Sequence, residues 1–229
     1  HTNSPGMELN GRRMLLYFLL LISFNALSQN TRVILDFNKA WKFFLVNDST
    51  AIDSNFIDAS WRTLNLPHDW SIEAPFSETA PATTQGGALP GGIGWYRKTF
   101  VLPANTNDKN VRVEFDGVYR NSEVWINGKY LGKRPNGYIS FSYDLSSYIN
   151  IFPAKNIIVV KVDNSQQPNS RWYTGSGIYR NVRLILTNNI QFTHWGAEVH
   201  TGMLKNKKGP DDKGVIVANM KVSNRSGSN

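Results

Sequence analysis

Beyond residue 30, hydrophobic and polar positions alternate with a period of two almost throughout the chain. Arg112-Val113-Glu114-Phe115 and Glu123-Val124-Trp125-Ile126 read as half-buried strands, because successive strand side chains point to opposite faces. Asn127-Gly128 follows the second run, and Lys129-Tyr130-Leu131-Gly132 resumes it. Both residues of an Asn-Gly pair tolerate positive φ, so this spacing predicts a tight hairpin. Further strands are predicted over 41–45, 95–101, 139–143, 156–162 and 179–186. No stretch after the first 28 residues keeps a helical period, and 144–150 is too short for more than a turn. Many short antiparallel strands separated by turns predict an all-β fold, a sandwich or jelly roll.

Two segments interrupt the alternation. Residues 71–94 have no periodicity and hold three Pro and five Gly. Trp70 and Trp95-Tyr96 pin both ends, so this long loop is expected to be ordered. A boundary is expected near Thr187-Asn188-Asn189, with a second β domain starting over 189–229. Its first strands are predicted at 190–192, 197–200 and 214–223. There Asn219, Lys221 and Ser223 alternate with Ala218, Met220 and Val222, as on a one-sided sheet with an exposed edge. The first domain then spans 29–188.

Residues 1–28 read differently. Arg12-Arg13 precede an apolar run over 14–22, and Ala26-Leu27-Ser28 supplies small residues for cleavage. This is the pattern of a secretory signal, and the apolar run is short for a bilayer core of roughly 30 Å. Because the sequence starts at His1 and stops just after a strand-like run, it is expected to be a fragment of a longer protein.

The 229 residues include no cysteine. Export without disulfides suits a bacterial secreted or periplasmic protein. The core must then rest on burial, which seven Trp, nine Tyr and twelve Phe make feasible. The net charge of +8 does not point to nucleic acid, because its distribution is wrong. Residues 203–229 carry six Lys/Arg against two Asp, so half of the excess sits there. The cluster Lys205, Lys207 and Lys208 reads as a solvated hairpin loop.

The richest chemistry lies in residues 163–182, DNSQQPNSRWYTGSGIYRNV. Amides and an arginine offer directed hydrogen bonds, and two adjacent aromatics offer flat apolar faces. A sugar needs both kinds of partner, so the loop is a candidate carbohydrate site; the alternative is a well-packed strand connection. Arg171 could donate paired hydrogen bonds to vicinal hydroxyls or to a carboxylate. Asn164 and Asn169 could bind hydroxyls as donor and acceptor, or shape the turn beside Pro168. Trp172 and Tyr173 could stack on a sugar face or fill a core. Asp163 is expected to fix the loop by accepting backbone N–H bonds, and Asp69 to anchor the long loop. His68-Asp69 lacks a partner for a catalytic triad. The four histidines show no zinc-ligand spacing, so no metal site is assigned. No cofactor is expected, with a sodium or magnesium ion held by carbonyls and carboxylates left open. The glycines at 86, 87, 91, 92 and 94 fail the context of a phosphate cradle, since they do not lie between a strand and a helix.

Six motifs occur in order across about 165 residues. They are Leu66-Pro67-His68-Asp69-Trp70, Leu89-Pro90-Gly91-Gly92-Ile93-Gly94-Trp95-Tyr96-Arg97-Lys98, Phe115-Asp116-Gly117-Val118-Tyr119, Val124-Trp125-Ile126-Asn127-Gly128, Gly137-Tyr138 with Phe141, and the 163–180 loop. Together they resemble glycoside hydrolase family 2, in particular its β-galactosidase-like enzymes. The resemblance implies a jelly-roll sugar-binding domain, then an immunoglobulin-like sandwich, then a barrel with the catalytic pair. This chain would hold the first domain and the start of the second. The family hydrolyses β-glycosides with retention, using two glutamates about 5–5.5 Å apart. None of Glu73, Glu78, Glu114, Glu123 or Glu198 lies in the family's Asn-Glu context, so no catalytic residue is assigned. The 163–177 loop is implied to reach over the barrel mouth, where Arg171 departs from an acidic residue of some relatives; its alternative role is a salt bridge to the barrel. The implied partners are a β-galactoside or related oligosaccharide and the chain's own C-terminal barrel, with a homo-oligomer left open. A stand-alone carbohydrate-binding sandwich and a structural or adhesive sandwich are the rival readings.

Overall fold

A computed structural model describes residues 31–204 and 213–227. The signal sequence expected over 1–28 and the cluster Lys205, Lys207 and Lys208 lie outside the described residues. The fold is all-β, as the alternation predicts. The strands in chain order are β1 (Arg32–Asp36), β2 (Trp41–Leu45), β3 (Arg62–Leu64), β4 (Gly92–Val101), β5 (Asn110–Phe115) and β6 (Ser122–Ile126). There follow β7 (Lys129–Arg134), β8 (Phe141–Asp144), β9 (Lys155–Asn164), β10 (Val182–Thr187), β11 (Ile190–Leu204) and β12 (Lys213–Asn224).

Two antiparallel sheets make the sandwich. One has the order β1-β10-β5-β8 and the other β3-β2-β4-β9-β6-β7. Their inner faces meet in one core. Val111, Val113 and Phe115 of β5 and Val182, Leu184 and Leu186 of β10 face Tyr96 of β4 and Ile158, Val160 and Val162 of β9. Each set is spaced by two, so the alternation seen in the sequence is the inward stripe of each strand. Strands β1 and β3, which the alternation did not single out, are short edge strands. β1 is a run of three apolar residues, Val33-Ile34-Leu35, with no alternation to mark it, and Ile34 is 53 % exposed.

Strand β9 carries apolar residues on both faces because a second layer covers its outer side. Val159 packs there with Trp61, Trp95, Trp125 and Ala51. The covering segment is held by Arg97, which is 1 % exposed. Its guanidinium donates to Asp58 Oδ2 at 3.1 Å, to Asp53 O at 3.1 Å, to Phe56 O at 3.4 Å and to Ala51 O. A planar five-donor group suits several carbonyls arrayed around it, which an ammonium could not match.

After the sandwich, β11 and β12 form a two-stranded ribbon with a bulge between Phe192 and Ala197. The two predicted strands 190–192 and 197–200 are therefore one strand interrupted by that bulge. Among the described residues no helix is long and apolar enough to cross a membrane.

Candidate functional site

Residues 163–177 leave the end of β9 and return as an irregular pairing beside the two sheets. Tyr119 and Gly177 exchange backbone hydrogen bonds of 2.9 and 2.8 Å, while His68 N donates to Ile178 O and Trp70 N to Ser176 O. The loop is thus stitched between the Leu66–Trp70 motif and Tyr119. As expected, Asp163 Oδ1 accepts from Ser165 N at 3.1 Å.

Asp69 organises the base. Its Oδ1 accepts from Ser71 N at 2.9 Å and from Ser176 N at 2.7 Å, and its Oδ2 accepts from the Tyr173 hydroxyl at 2.6 Å. The first bond caps the short 3-10 helix Trp70–Glu73, which opens the long loop. The other two clamp the 163–177 loop, so Asp69 ties both loops at once. Gly175 is what permits this approach, since a Cβ there would lie 2.2 Å from Asp69 Oδ2. Burial and the carboxylate together push the Tyr173 phenol far up, so it stays a donor.

The long loop is ordered, as expected. Trp70 Nε1 donates to Gly91 O at 3.1 Å, and Ser71 Oγ lies 2.8 Å from Pro90 O and 2.7 Å from Ser176 Oγ. Gly91 presses directly on the 163–177 loop, where a Cβ would meet Asn164 O at 2.3 Å.

The four predicted contact residues separate into two kinds. Asn164 is 1 % exposed and spent inside the loop. Its Nδ2 donates to Ser176 Oγ at 2.7 Å, and its Oδ1 accepts from Asn169 Nδ2 at 2.6 Å. These bonds give Asn164 the turn-shaping role, the alternative to a sugar contact, with both ends of its buried amide engaged inside the loop. Asn169 is half-buried, and its Oδ1 lies 3.4 Å from the Tyr119 hydroxyl and 3.3 Å from Thr174 Oγ1. Arg171 and Trp172 form the exposed tip, with Trp172 63 % exposed. Trp172 is therefore available to stack and is not a core residue.

Two residues near this tip had no assigned role. Tyr119 touches Asn169, and its ring packs edge-on against Tyr138 at 5.4 Å. Tyr138 is 58 % exposed and adds a second aromatic beside Tyr119. Both lie within quoted motifs, but no local pattern shows that β5–β6 and β7–β8 connections converge on one loop. Burial pushes the Tyr119 phenol up.

His68 belongs to the base rather than to the tip. Its Nδ1 lies 2.7 Å from the Tyr96 hydroxyl, and its Nε2 lies 2.8 Å from Arg62 Nη2 and 3.2 Å from Glu73 Oε1. Burial holds its pKa down despite Glu73, so the neutral ring serves as a connector. Among the described residues no cluster of three His, Asp or Glu could hold a metal ion. The arrangement offers positioning and contact, with donors and aromatic faces on a stiff base.

Comparison with known proteins agrees with this description. The family described as "Glycosyl hydrolases family 2, sugar binding domain" matches residues 34–188. A β-galactosidase of Bacteroides ovatus is 54 % identical over 173 residues, covering 76 % of this chain and 20 % of the relative. A β-glucuronidase of Formosa agariphila is 34 % identical over 180 residues, covering 73 % of this chain and 18 % of the relative. The crystal structure of a β-glycosidase from Bacteroides vulgatus superposes with a TM-score of 0.76 at 44 % identity, over 85 % of this chain and 24 % of that one. The chain thus spans about a fifth of the length of the curated relatives it matches. It belongs to glycosyl hydrolase family 2, with the family's sugar-binding domain at residues 34–188.

Proposed function

We propose that this chain is the front of a larger exported β-glycoside hydrolase of the β-galactosidase type, which cleaves with retention through a catalytic pair in a barrel outside the chain. Its own role is to buttress that barrel and to lend the Arg171 loop to the substrate. The observation that carries this reading is the contrast within 163–177. A base saturated with internal hydrogen bonds holds up an exposed Arg171 and Trp172. Such preorganisation suits contact with a ligand, because little ordering remains to be done on binding. The 54 % identity with a β-galactosidase favours a galactoside as substrate. On the same reading, β11 and β12 open the immunoglobulin-like domain, and residues 1–28 direct export to the periplasm or beyond.

The test is to read the gene past Asn229, produce the whole product and assay it on aryl β-galactoside and aryl β-glucuronide. The galactoside should be turned over better, with the β-anomer of the sugar released first by NMR. Arg171→Ala should lower kcat/KM by about tenfold or more, the effect of losing a charged hydrogen bond. Unchanged kcat/KM would remove the loop from the site. Preference for the glucuronide would replace the substrate assignment. A reading frame that stops shortly after Asn229 would overturn the hydrolase reading and leave a stand-alone carbohydrate-binding sandwich.

A further inference from the structure

The bulge in β11 builds a second constellation that the hydrolase reading does not use. A shallow groove of about 590 Å³ lies there, and its lining includes Arg112, Arg134, Ser140, Ser142, His194 and Trp195. None of its lining residues comes from the 163–177 loop. Trp195 has a φ of +51° and is 64 % exposed. A left-handed backbone at a bulky residue is uncommon, and here it turns the indole out beside the sheet. The imidazole of His194 supports it, with ring centroids 4.3 Å apart. The groove therefore has an aromatic face that is both exposed and held from behind.

Its charge is one-sided. No Asp or Glu lines it. Three carboxylates lie behind it: Arg225 holds Asp144 at 2.7 Å, Arg183 holds Asp116 at 2.6 and 2.8 Å, and Glu114 lies 3.4 Å from Arg183. Arg112 keeps a 3.3 Å bond to Ser142 Oγ and a loose 3.8 Å approach to Asp144. Arg134 lies over the Tyr143 ring at 5.3 Å, and its Nη1 donates to Lys133 O at 3.4 Å. His194 Nε2 sits 3.2 Å from Glu114 Oε2 without an aligned hydrogen bond, and burial and Arg112 keep the ring neutral. Two guanidinium groups thus face a groove with no counter-charge in its wall.

We infer that this groove is a second sugar site that takes an anionic pyranose, a uronate or sulfate-bearing unit of an oligosaccharide. Trp195 stacks on the apolar C–H face of the ring, and the serine hydroxyls meet its hydroxyls. Arg134 and Arg112 hold the carboxylate or sulfate, whose geometry fits a guanidinium fork. A neutral sugar would gain the stacking but bring no anion to either guanidinium.

The inference does not depend on the hydrolase reading, and its test is done in the Arg171→Gln background to silence the other cation-bearing loop. Methyl β-glucuronide, methyl β-galactoside 6-sulfate and uncharged methyl β-galactoside are titrated by calorimetry into the 229-residue chain, so that the groove is measured apart from the barrel proposed to turn over galactosides. At least one anionic glycoside should bind saturably, and the uncharged one at least tenfold more weakly. Which anion binds decides between carboxylate and sulfate. Arg134→Gln should weaken binding about tenfold or more, the scale of one charged hydrogen bond. Trp195→Ala should weaken it as well, while Trp195→Phe, which keeps an aromatic face, should retain it. Equal affinity for the neutral glycoside, no binding of either anion, or unchanged affinity in Arg134→Gln would each overturn the assignment.

Discussion

Replacing Asp69 by alanine tests the claim that one carboxylate ties the two loops together. It accepts from Ser71 N, Ser176 N and the Tyr173 hydroxyl at 2.9, 2.7 and 2.6 Å. Tyr173 is 47 % exposed and can turn to water, so its bond counts for little. Loss of the Ser71 bond is loss of a helix cap, about 1 kcal/mol. Ser176 is fully buried, so its N–H is left without an acceptor at a cost of about 2–3 kcal/mol. The total is about 3–4 kcal/mol. At about 2–4 °C per kcal/mol for a domain of this size, Tm should fall by about 6–16 °C. Asp69→Asn keeps an oxygen for both backbone N–H groups and should lose less than half as much. Thermal melts of the 229-residue chain by near-UV circular dichroism measure both variants. Tryptic cleavage after the exposed Arg171 reports whether the loop itself has loosened. A Tm within about 2 °C of the parent for Asp69→Ala, or equal losses for Ala and Asn, would refute the reasoning.

Two further outcomes follow from buried polar groups. Arg97→Ala should destabilise the chain by about 3–5 kcal/mol, because three carbonyls and Asp58 lose their shared donor in the outer layer; urea unfolding measures it, and a loss below about 1 kcal/mol would show that water replaces the guanidinium. His68 and His194 both have pKa values lowered mainly by burial, so the unfolded chain binds protons more readily than the folded one. Their contribution is complete above the unfolded pKa, about 6.5, and is lost as pH falls from there toward the folded values. Stability should therefore decline as pH falls below about 6.5, by at most about 1.4 kcal/mol per pH unit for each histidine. Denaturant unfolding at several pH values checks this, and the variant carrying His68→Asn and His194→Asn should show a flatter profile; an unchanged slope would assign the effect to other groups.

What the sequence determined by itself was the fold class and the strands that carry it. A side-chain period of two can be read without knowing which strands pair, so β2, β5, β6 and β9 were legible. The Asn127-Gly128 turn was legible too, with φ of +49° and +77° as a primed hairpin turn requires. The strands β1 and β3 were not, since β1 is an unbroken apolar run and β3 is only three residues long, too little for a period of two to show. The buried Arg97 was hidden for a different reason. Alternation tells which side of a sheet a residue is on but not whether that side is covered.

The site divides along the same line. The 163–177 loop could be found from composition, because its donors and aromatics are adjacent in the chain. Which of them face outward was decided only by tertiary structure. Asn164 and Asn169 look alike in sequence, yet one is sealed against Ser176 and the other borders Tyr119, because partners 12 and 50 residues away fix each amide. The groove under Trp195 joins β5, β7, β8 and β11, which no local pattern relates. Hydrogen bonding and burial depend on what packs against a residue, and that is settled when distant strands meet.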